Sequence, residues 1–482
     1  MQIPEKGWSR KEVFDRLEAY RAGDMPWRDG RTWAYIYDPG PEAEAVIKDA
    51  FASYLTENGL DPTVFPSALR MENEVVAMAA RHLSGDAGVV GNFTSGGTES
   101  ILLAVKAARD HARERRGIAE PEMVLPETAH AAFQKAGHYL GVRPVLVPVD
   151  PESFRADVDA VRDAITDRTV LLVGSAISYA HGVVDPIAEL GALAAERGLL
   201  LHVDGCMGGF LLPYFRRLGS DIPDFDFHVP GVTSISMDLH KYAFAAKGAS
   251  TILYRSKELR KYQMYACSNW TGYTVINPTV QSTKSAGPIA GAWAALHFIG
   301  DEGYLEIART VRDATRRIVE AVDAMADFRV LGRPDMNLVA FGSDTVGVFH
   351  VVDEMKERGW YVQPQLAYGC SPENIHLSVN PESVRWVDPM LADLEASAEA
   401  ARKLPSGELA PKIREAFGHL QPEDLDEEVF GGMLRMAGID GAGELPGRMA
   451  EINEVLNALP VPLRERLLVE YLNELFRPPG GS

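Results

Sequence analysis

Short apolar runs separated by helical windows constrain this chain more than any other feature. Met123-Val124-Leu125, Val145-Leu146-Val147, Val170-Leu171-Leu172-Val173, Leu199-Leu200-Leu201-His202-Val203, Ser234-Ile235-Ser236-Met237 and Ser250-Thr251-Ile252-Leu253-Tyr254 are rich in strand formers, and stretches such as Ile187–Arg197 carry helical periodicity between them. Strands this short and this continuously apolar are covered on both faces, which calls for a mostly parallel sheet between layers of helices. The fold class is α/β. At roughly 100–200 residues per domain, the 482 residues require more than one folding unit.

Residues 1–70 alternate polar helical stretches with breaks at Gly23-Asp24-Met25-Pro26 and Asp38-Pro39-Gly40-Pro41, which suits an arm clasped onto a larger body. Residues 71–295 form the large domain. A long helix near 304–326 and further strand–helix alternation predict a smaller C-terminal α/β domain over 296–405. Residues 406–482 read as a helical extension, broken at 438–447 and 460–462, with a loose Pro-Pro-Gly-Gly-Ser end.

Hydrophobic residues at 46% and charged ones at 24% exclude a disordered chain or a disulfide scaffold. Acidic residues outnumber basic ones 68 to 48, and the resulting charge of −20 disfavours nucleic acid and anionic lipid as partners. Cys206, Cys267 and Cys370 are odd in number and far apart, giving neither a disulfide framework nor a metal-binding CxxC pair and fitting a reducing cytoplasm. No apolar run of about 18 residues predicts a membrane span, and no secretory signal opens the chain.

Three segments carry chemistry. In Thr94-Ser95-Gly96-Gly97-Thr98-Glu99-Ser100, small residues lead into a helical stretch, so hydroxyls and first-turn N–H groups offer a seat for an anion such as a phosphate. A nucleotide P-loop is disfavoured, because no Gly-Lys-Ser/Thr follows. In His202-Val203-Asp204 an apolar run ends on an acid, which places Asp204 at the carboxyl end of a strand, where open α/β sheets hold ligands. In Asp238-Leu239-His240-Lys241-Tyr242 a lysine follows another apolar run, and there its amine can serve Schiff-base chemistry. A phosphate seat, a strand-end carboxylate and a strand-end amine are together what pyridoxal 5′-phosphate needs: an anchor, a partner for its ring nitrogen and an amine for its aldehyde.

The elements Thr94 through Ser100, Ala129-His130-Ala131-Ala132-Phe133, His181-Gly182-Val183-Val184-Asp185-Pro186, His202-Val203-Asp204, Gly208-Gly209-Phe210 and Gly231-Val232-Thr233-Ser234-Ile235 through Tyr242 resemble sphingosine-1-phosphate lyase. That family belongs to the fold-type-I, group II decarboxylase-like pyridoxal-phosphate enzymes. The resemblance runs in order over roughly residues 25–400. It implies that Lys241 holds the cofactor aldehyde as an imine, Asp204 pairs with the ring nitrogen, His130 stacks on the ring, and Gly97, Thr98 and His240 hold the phosphate. It further implies that Thr283, in Gln281-Ser282-Thr283-Lys284-Ser285, reaches the phosphate of a neighbouring subunit, making the enzyme a homodimer.

Departures from the family gather on the substrate side. In Thr32-Trp33-Ala34-Tyr35-Ile36-Tyr37 the bulky Trp33 and Tyr35 stand where small residues are common, predicting a reduced pocket, while Tyr37 matches the family's tyrosine. Asp61, in Asn58-Gly59-Leu60-Asp61-Pro62, stands where a histidine is frequent and would repel a substrate phosphate; Lys247 matches the family's lysine for that phosphate. The expected activity is retro-aldol cleavage of a small β-hydroxy amine, phosphorylated or not, or of a β-hydroxy amino acid. The alternative is α-decarboxylation of an amino acid on the same apparatus.

Overall fold

The computed structural model describes residues 2–404 and 447–476, with residues 411, 415, 432 and 478 in addition. The central sheet has seven strands, β1 Val90–Thr94, β2 Glu122–Pro126, β3 Arg143–Val147, β4 Thr169–Ser175, β5 Leu200–Asp204, β6 Ser234–Asp238 and β7 Ser250–Tyr254. They lie in the order β1-β7-β6-β5-β4-β2-β3. Strands β2 to β6 are parallel, and β7 runs antiparallel to both of its neighbours, β6 and β1. All six apolar runs thus become strands. β2, β4, β6 and β7 are buried along their whole length, as coverage on both faces requires.

The strand that apolarity does not reveal is β1, whose sequence is Val-Gly-Asn-Phe-Thr. It lies at the edge of the sheet, and its polar groups are met by side chains. Glu72 accepts from Phe93 N at 3.0 Å and from Asn92 Nδ2 at 3.2 Å, while Gln263 donates to Asn92 Oδ1 at 2.8 Å. An edge satisfied in this way needs no alternation of apolar residues.

Helices α1 Arg10–Arg21, α2 Pro41–Ser53 and α3 Pro66–His82 precede the sheet. α4 Gly97–Arg116, α5 Ala132–Leu140, α6 Val158–Ala164, α7 Ile187–Arg197, α8 Leu212–Arg217 and the short α9 Lys257–Arg260 follow among the strands. After the hairpin β8 Tyr265–Cys267 and β9 Val275–Asn277, the 38-residue α10 Gly287–Ala324 leaves the large domain. It bends at Gly300, whose φ of 67° is open to glycine without a Cβ clash. The expected helix near 304–326 is the second limb of this element. The smaller sheet is antiparallel throughout, β10 Arg329–Val330, β11 Leu338–Gly342, β13 Asn374–Ser378 and β12 Gln363–Gln365 in that order. It packs with α10, α11 Val348–Glu357 and α12 Val387–Ala401.

The expected seams at 70/71 and 295/296 fall inside α3 and α10, so single helices tie neighbouring units together. The arm is also threaded onto the small domain: Trp33 N donates to Tyr361 O at 2.9 Å and Ser378 N to Trp33 O at 2.7 Å. Most of 406–482 lies outside the described residues; within it, α13 Ala450–Ala458 and α14 Val461–Leu475 flank the expected break at Pro460. Among the described residues no helix is long and apolar enough to cross a membrane.

Candidate active site

Strands β1, β4, β5 and β6 point the same way and finish beside one another at one end of the sheet. Their carboxyl ends, with the N-terminus of α4, enclose a cavity of about 410 Å³. This is the crevice in which open α/β sheets bind ligands. Gly97, Thr98, His130, Asp204, His240, Lys241 and Lys247 all line it.

The loop from β1 into α4 divides its labour. Thr94 and Ser100 face inward and share a hydroxyl contact of 2.7 Å, with Ser250 a further 3.1 Å from Ser100. Glu99 is buried and accepts from Ser95 N at 2.6 Å and Val280 N at 2.9 Å. Ser95, Gly96, Gly97 and Thr98 are left to face the cavity, at the positive end of a 20-residue helix dipole. A Cβ at Gly97 would lie 2.7 Å from Cys206 Sγ and 2.8 and 2.9 Å from the two carboxylate oxygens of Asp238, so only glycine lets the backbone pass there.

Asp204, at the end of β5, is held by Cys206 N at 3.0 Å and by Ser236 Oγ at 3.3 Å, both on Oδ1. Behind it, His202 bridges Ser234 and Ser236 at 2.9 and 3.2 Å. Burial lowers the pKa of His202 to about 4, so the ring is a neutral strut. His130, just ahead of α5, is exposed on the cavity rim and accepts from Ala132 N at 3.2 Å through Nδ1. It therefore both caps a helix start and faces the cavity.

Lys241 Nζ lies 2.9 Å from Asp238 Oδ2, with His240 Nε2 3.6 Å from the same oxygen. Burial alone would lower the lysine's pKa, but the Asp238 carboxylate outweighs it and holds the ammonium well above its ordinary range. Burial likewise opposes the charge on Asp238, and Lys241 and His240 overcome it. His240 Nδ1 lies 2.7 Å from Ala249 O. Asp238 is the functional residue that sequence reasoning left unassigned; its signal is an acid three positions before the strand-end lysine.

Lys247 stands at the mouth, with its Nζ 4.5 Å from the centre of the Tyr37 ring. The side chain is exposed as a whole, yet partial desolvation against the surrounding protein, with Lys241 nearby, lowers its pKa to about 8. Tyr37 packs edge-on against Tyr242 at 5.2 Å, and burial drives its hydroxyl far above the ordinary phenol range, so it stays protonated.

The expectation of a pocket narrowed by Trp33 and Tyr35 is corrected, and two further expected residues stand away from this chain's own cavity. Asp61 is exposed on a turn, where it accepts from Thr63 N at 2.8 Å and Thr63 Oγ1 at 2.6 Å, and it does not line its own chain's cavity. Trp33 is fully buried in the core and Tyr35 is exposed, so neither narrows the cavity. Thr283 is exposed and also stands outside its own chain's cavity.

The residues present fit pyridoxal 5′-phosphate. A glycine cradle at a helix N-terminus, a buried carboxylate oxygen of Asp238 with no partner beneath that cradle, a fixed strand-end acid and a lysine amine surround one cavity. Fold and site together define a fold-type-I pyridoxal-phosphate enzyme. The conserved domain of pyridoxal-dependent decarboxylases matches residues 25–343, and a C-terminal HTH domain of pyridoxal-dependent enzymes matches residues 411–474.

Among curated proteins, sphingosine-1-phosphate lyase of Arabidopsis thaliana is 42% identical over 89% of this chain and 79% of its own length. That of Dictyostelium discoideum is 36% identical over 90% and 80%. Among solved structures, the sphingosine-1-phosphate lyase of Burkholderia pseudomallei superposes with a TM-score of 0.80 at 38% identity, covering 83% of this chain and 93% of that one. Glutamate decarboxylase of Lactobacillus brevis, at 20% identity and a TM-score of 0.73, shares the fold over 84% of this chain and 96% of its own. The chain belongs to the sphingosine-1-phosphate lyase family, a branch of the pyridoxal-dependent decarboxylases. It is a pyridoxal-phosphate-dependent carbon–carbon lyase.

Proposed function

We propose that the substrate is a β-hydroxy amine bearing a phosphate, cleaved between the amine-bearing carbon and the hydroxyl-bearing carbon to give an aldehyde and a small phosphorylated amine. The observation that carries this reading is Lys247, a cation at the mouth of the cavity that holds Lys241 and Asp204. Asp61, the charge that argued against a phosphate, is not among the residues lining this chain's own cavity, which supports the reading.

Each residue has a defined task. Lys241 would hold the cofactor through its amine, Asp204 would keep the ring nitrogen protonated, and His130 on the cavity rim would bound the ring. Gly97, Thr98 and His240 seat the cofactor phosphate, and Lys247 pairs with that of the substrate. Tyr37, kept protonated, hydrogen-bonds the substrate through its hydroxyl. Pyridoxal phosphate supplies the electron sink for the carbanion left when the bond breaks.

The protein is also proposed to be a homodimer in the cytoplasm, divided into arm, large domain, small domain and helical extension with seams inside α3 and α10. Helix α1 buries none of its own residues, and Trp8, Phe14, Leu17 and Tyr20 are exposed on or beside it. The β8–β9 hairpin exposes Tyr265, Trp270, Tyr273 and Ile276. Apolar surface of this extent suits a partner subunit, and the exposed Thr283 beyond the hairpin is the residue proposed to reach that subunit's cofactor phosphate. All three cysteines are free, in keeping with a reducing compartment.

Lys247→Ala tests the substrate assignment. It should raise KM for a phosphorylated β-hydroxy amine by about 10–100-fold, equivalent to roughly 1.4–2.8 kcal/mol, with a smaller change for the unphosphorylated amine. Equal effects on both would refute the phosphate seat, and CO₂ release from an amino acid without aldehyde would favour decarboxylation.

A further inference from the structure

The structure assigns Asp238 a role of its own. We propose that it is the counter-ion and proton acceptor of Lys241, holding the lysine as a charged, unreactive ammonium in the cofactor-free protein and taking its proton when the cofactor phosphate arrives. The proposal rests on Lys241 being the cofactor lysine and is independent of the identity of the substrate.

Three observations carry it. First, Asp238 Oδ2 is 2.9 Å from Lys241 Nζ, a distance for direct proton transfer, and Asp238 is only 3% exposed. Second, the other oxygen, Oδ1, is buried and no donor meets it in hydrogen-bonding geometry; the neighbouring Ser250 hydroxyl, which adds to the hold on the carboxylate, is turned to Met237 O at 3.1 Å. Third, both oxygens lie directly beneath Gly97, within 2.9 Å of where its Cβ would be. A buried acceptor without a donor is costly. Its position under the phosphate cradle identifies what resolves it, since a phosphate oxygen there turns a carboxylate into a like-charge neighbour and makes the neutral acid, a donor, the better state.

The step balances as one proton moved. Lys241 Nζ gives its proton to Asp238 Oδ2; the amine regains the lone pair needed to attack the aldehyde, and the aspartic acid becomes able to donate to the phosphate. Net charge of the pair is zero before and after. The other groups facing this pair are His240 on the same loop, Cys206 and Asp204 from the end of β5, Ser250 from β7, Tyr179 after β4, Tyr37 and Tyr242, and Lys247 across the mouth. Asp204 strengthens the hold on the ammonium and Lys247 weakens it, and Lys247 is itself coupled to both Asp238 and Lys241.

The test uses cofactor-free protein and no substrate. Lysines are acetylated with acetic anhydride across pH 6–11 and each site is quantified by peptide mass spectrometry. In the unaltered protein Lys241 should be modified more slowly than Lys247 throughout the neutral range. Asp238→Asn should increase modification of Lys241 at pH 8 at least tenfold and move its pH profile downward, leaving the exposed Lys403, away from the cavity, within twofold. The same variant should form the borohydride-reducible cofactor adduct faster at pH 7. An unchanged Lys241 profile in Asp238→Asn would overturn the proposal. Should that variant fail to fold, the unaltered protein decides: Lys241 modified as readily as Lys247 at pH 8 refutes the counter-ion role.

Discussion

Replacing Gly97 with alanine tests the cradle from its weakest tolerance. The new Cβ would stand 2.7 Å from Cys206 Sγ and 2.8 and 2.9 Å from Asp238 Oδ1 and Oδ2, distances that no relaxed Cβ contact shows. Both neighbours are buried at the ends of β5 and β6, so the first turn of α4 has to move instead. Overpacking of this kind costs about 1–3 kcal/mol. Alanine returns up to about 1 kcal/mol through its helix propensity, leaving a net loss of roughly 0–3 kcal/mol in the cofactor-free protein. The larger effect falls on the cofactor, because the displaced N–H groups and hydroxyls are those that meet its phosphate. A ten- to hundredfold weaker affinity, about 1.4–2.8 kcal/mol, is expected. Thermal unfolding of the cofactor-free variant and titration with pyridoxal phosphate, followed by absorbance, separate the two terms. Adding Cys206→Ala should recover part of the affinity by removing the 2.7 Å contact. Unchanged affinity in Gly97→Ala would show that the phosphate does not sit on this turn.

Two further outcomes are expected. His181, His202 and His376 are buried, and burial lowers their pKa values from 6.5 to about 4, so the folded state binds fewer protons than the unfolded one between those values. Their stabilisation is complete above pH 6.5 and is lost as pH falls towards 4, at roughly 3 kcal/mol per ring. Asp185, raised by burial to about 6, opposes one ring's worth over much of the same window. Unfolding followed by tryptophan fluorescence should have its midpoint between pH 4 and 6.5, and a native signal persisting at pH 4 would contradict the neutral assignment of these rings. Asp61→His, at an exposed turn, should leave the preference between phosphorylated and unphosphorylated amines within twofold. A rise in turnover of the phosphorylated one would bring this turn against the partner subunit's cavity.

The parts of this molecule that the sequence displays are those where one local rule acts alone. Continuous apolar runs become buried strands, and a strand-end Asp or Lys faces the crevice, because the sheet leaves those positions nowhere else to go. β1 is hidden because its polar residues are answered by Glu72 and Gln263, which are distant in sequence. The segment 32–37 misleads for a backbone reason: Tyr35 has a φ of 63°, and its ring lies out on Tyr361 at 6.1 Å, while Trp33 turns into the core. Residue bulk says how much space a side chain needs, not which side of the chain it takes. His181-Gly182-Val183-Val184-Asp185-Pro186 likewise proves to be support: Asp185 accepts from Ser175 N at 2.7 Å and Ala156 N at 2.8 Å, fixing the end of β4 at the cavity.

The charges around the cavity decide what it can select. Two lysines and three acids line it. Glu99 is spent on backbone N–H groups of its own loop and of residue 280, and Asp204 is fixed where the cofactor ring nitrogen belongs. Asp238 and Lys241 neutralise each other at 2.9 Å. Lys247 is then the cation among the lining residues without a carboxylate committed to it; its contacts are His240 O at 3.4 Å and the Tyr37 ring. A cation held by a carbonyl and a π-face loses little by turning to an anion, whereas one locked in an ion pair would have to give up a partner of equal charge. Lys247 is therefore the group from which substrate preference follows, and its pKa near 8 adds a consequence: an anionic substrate should bind best below pH 8 and lose affinity above it as the amine discharges. A KM for the phosphorylated amine that stays flat from pH 7 to 9.5 would sever substrate recognition from this residue.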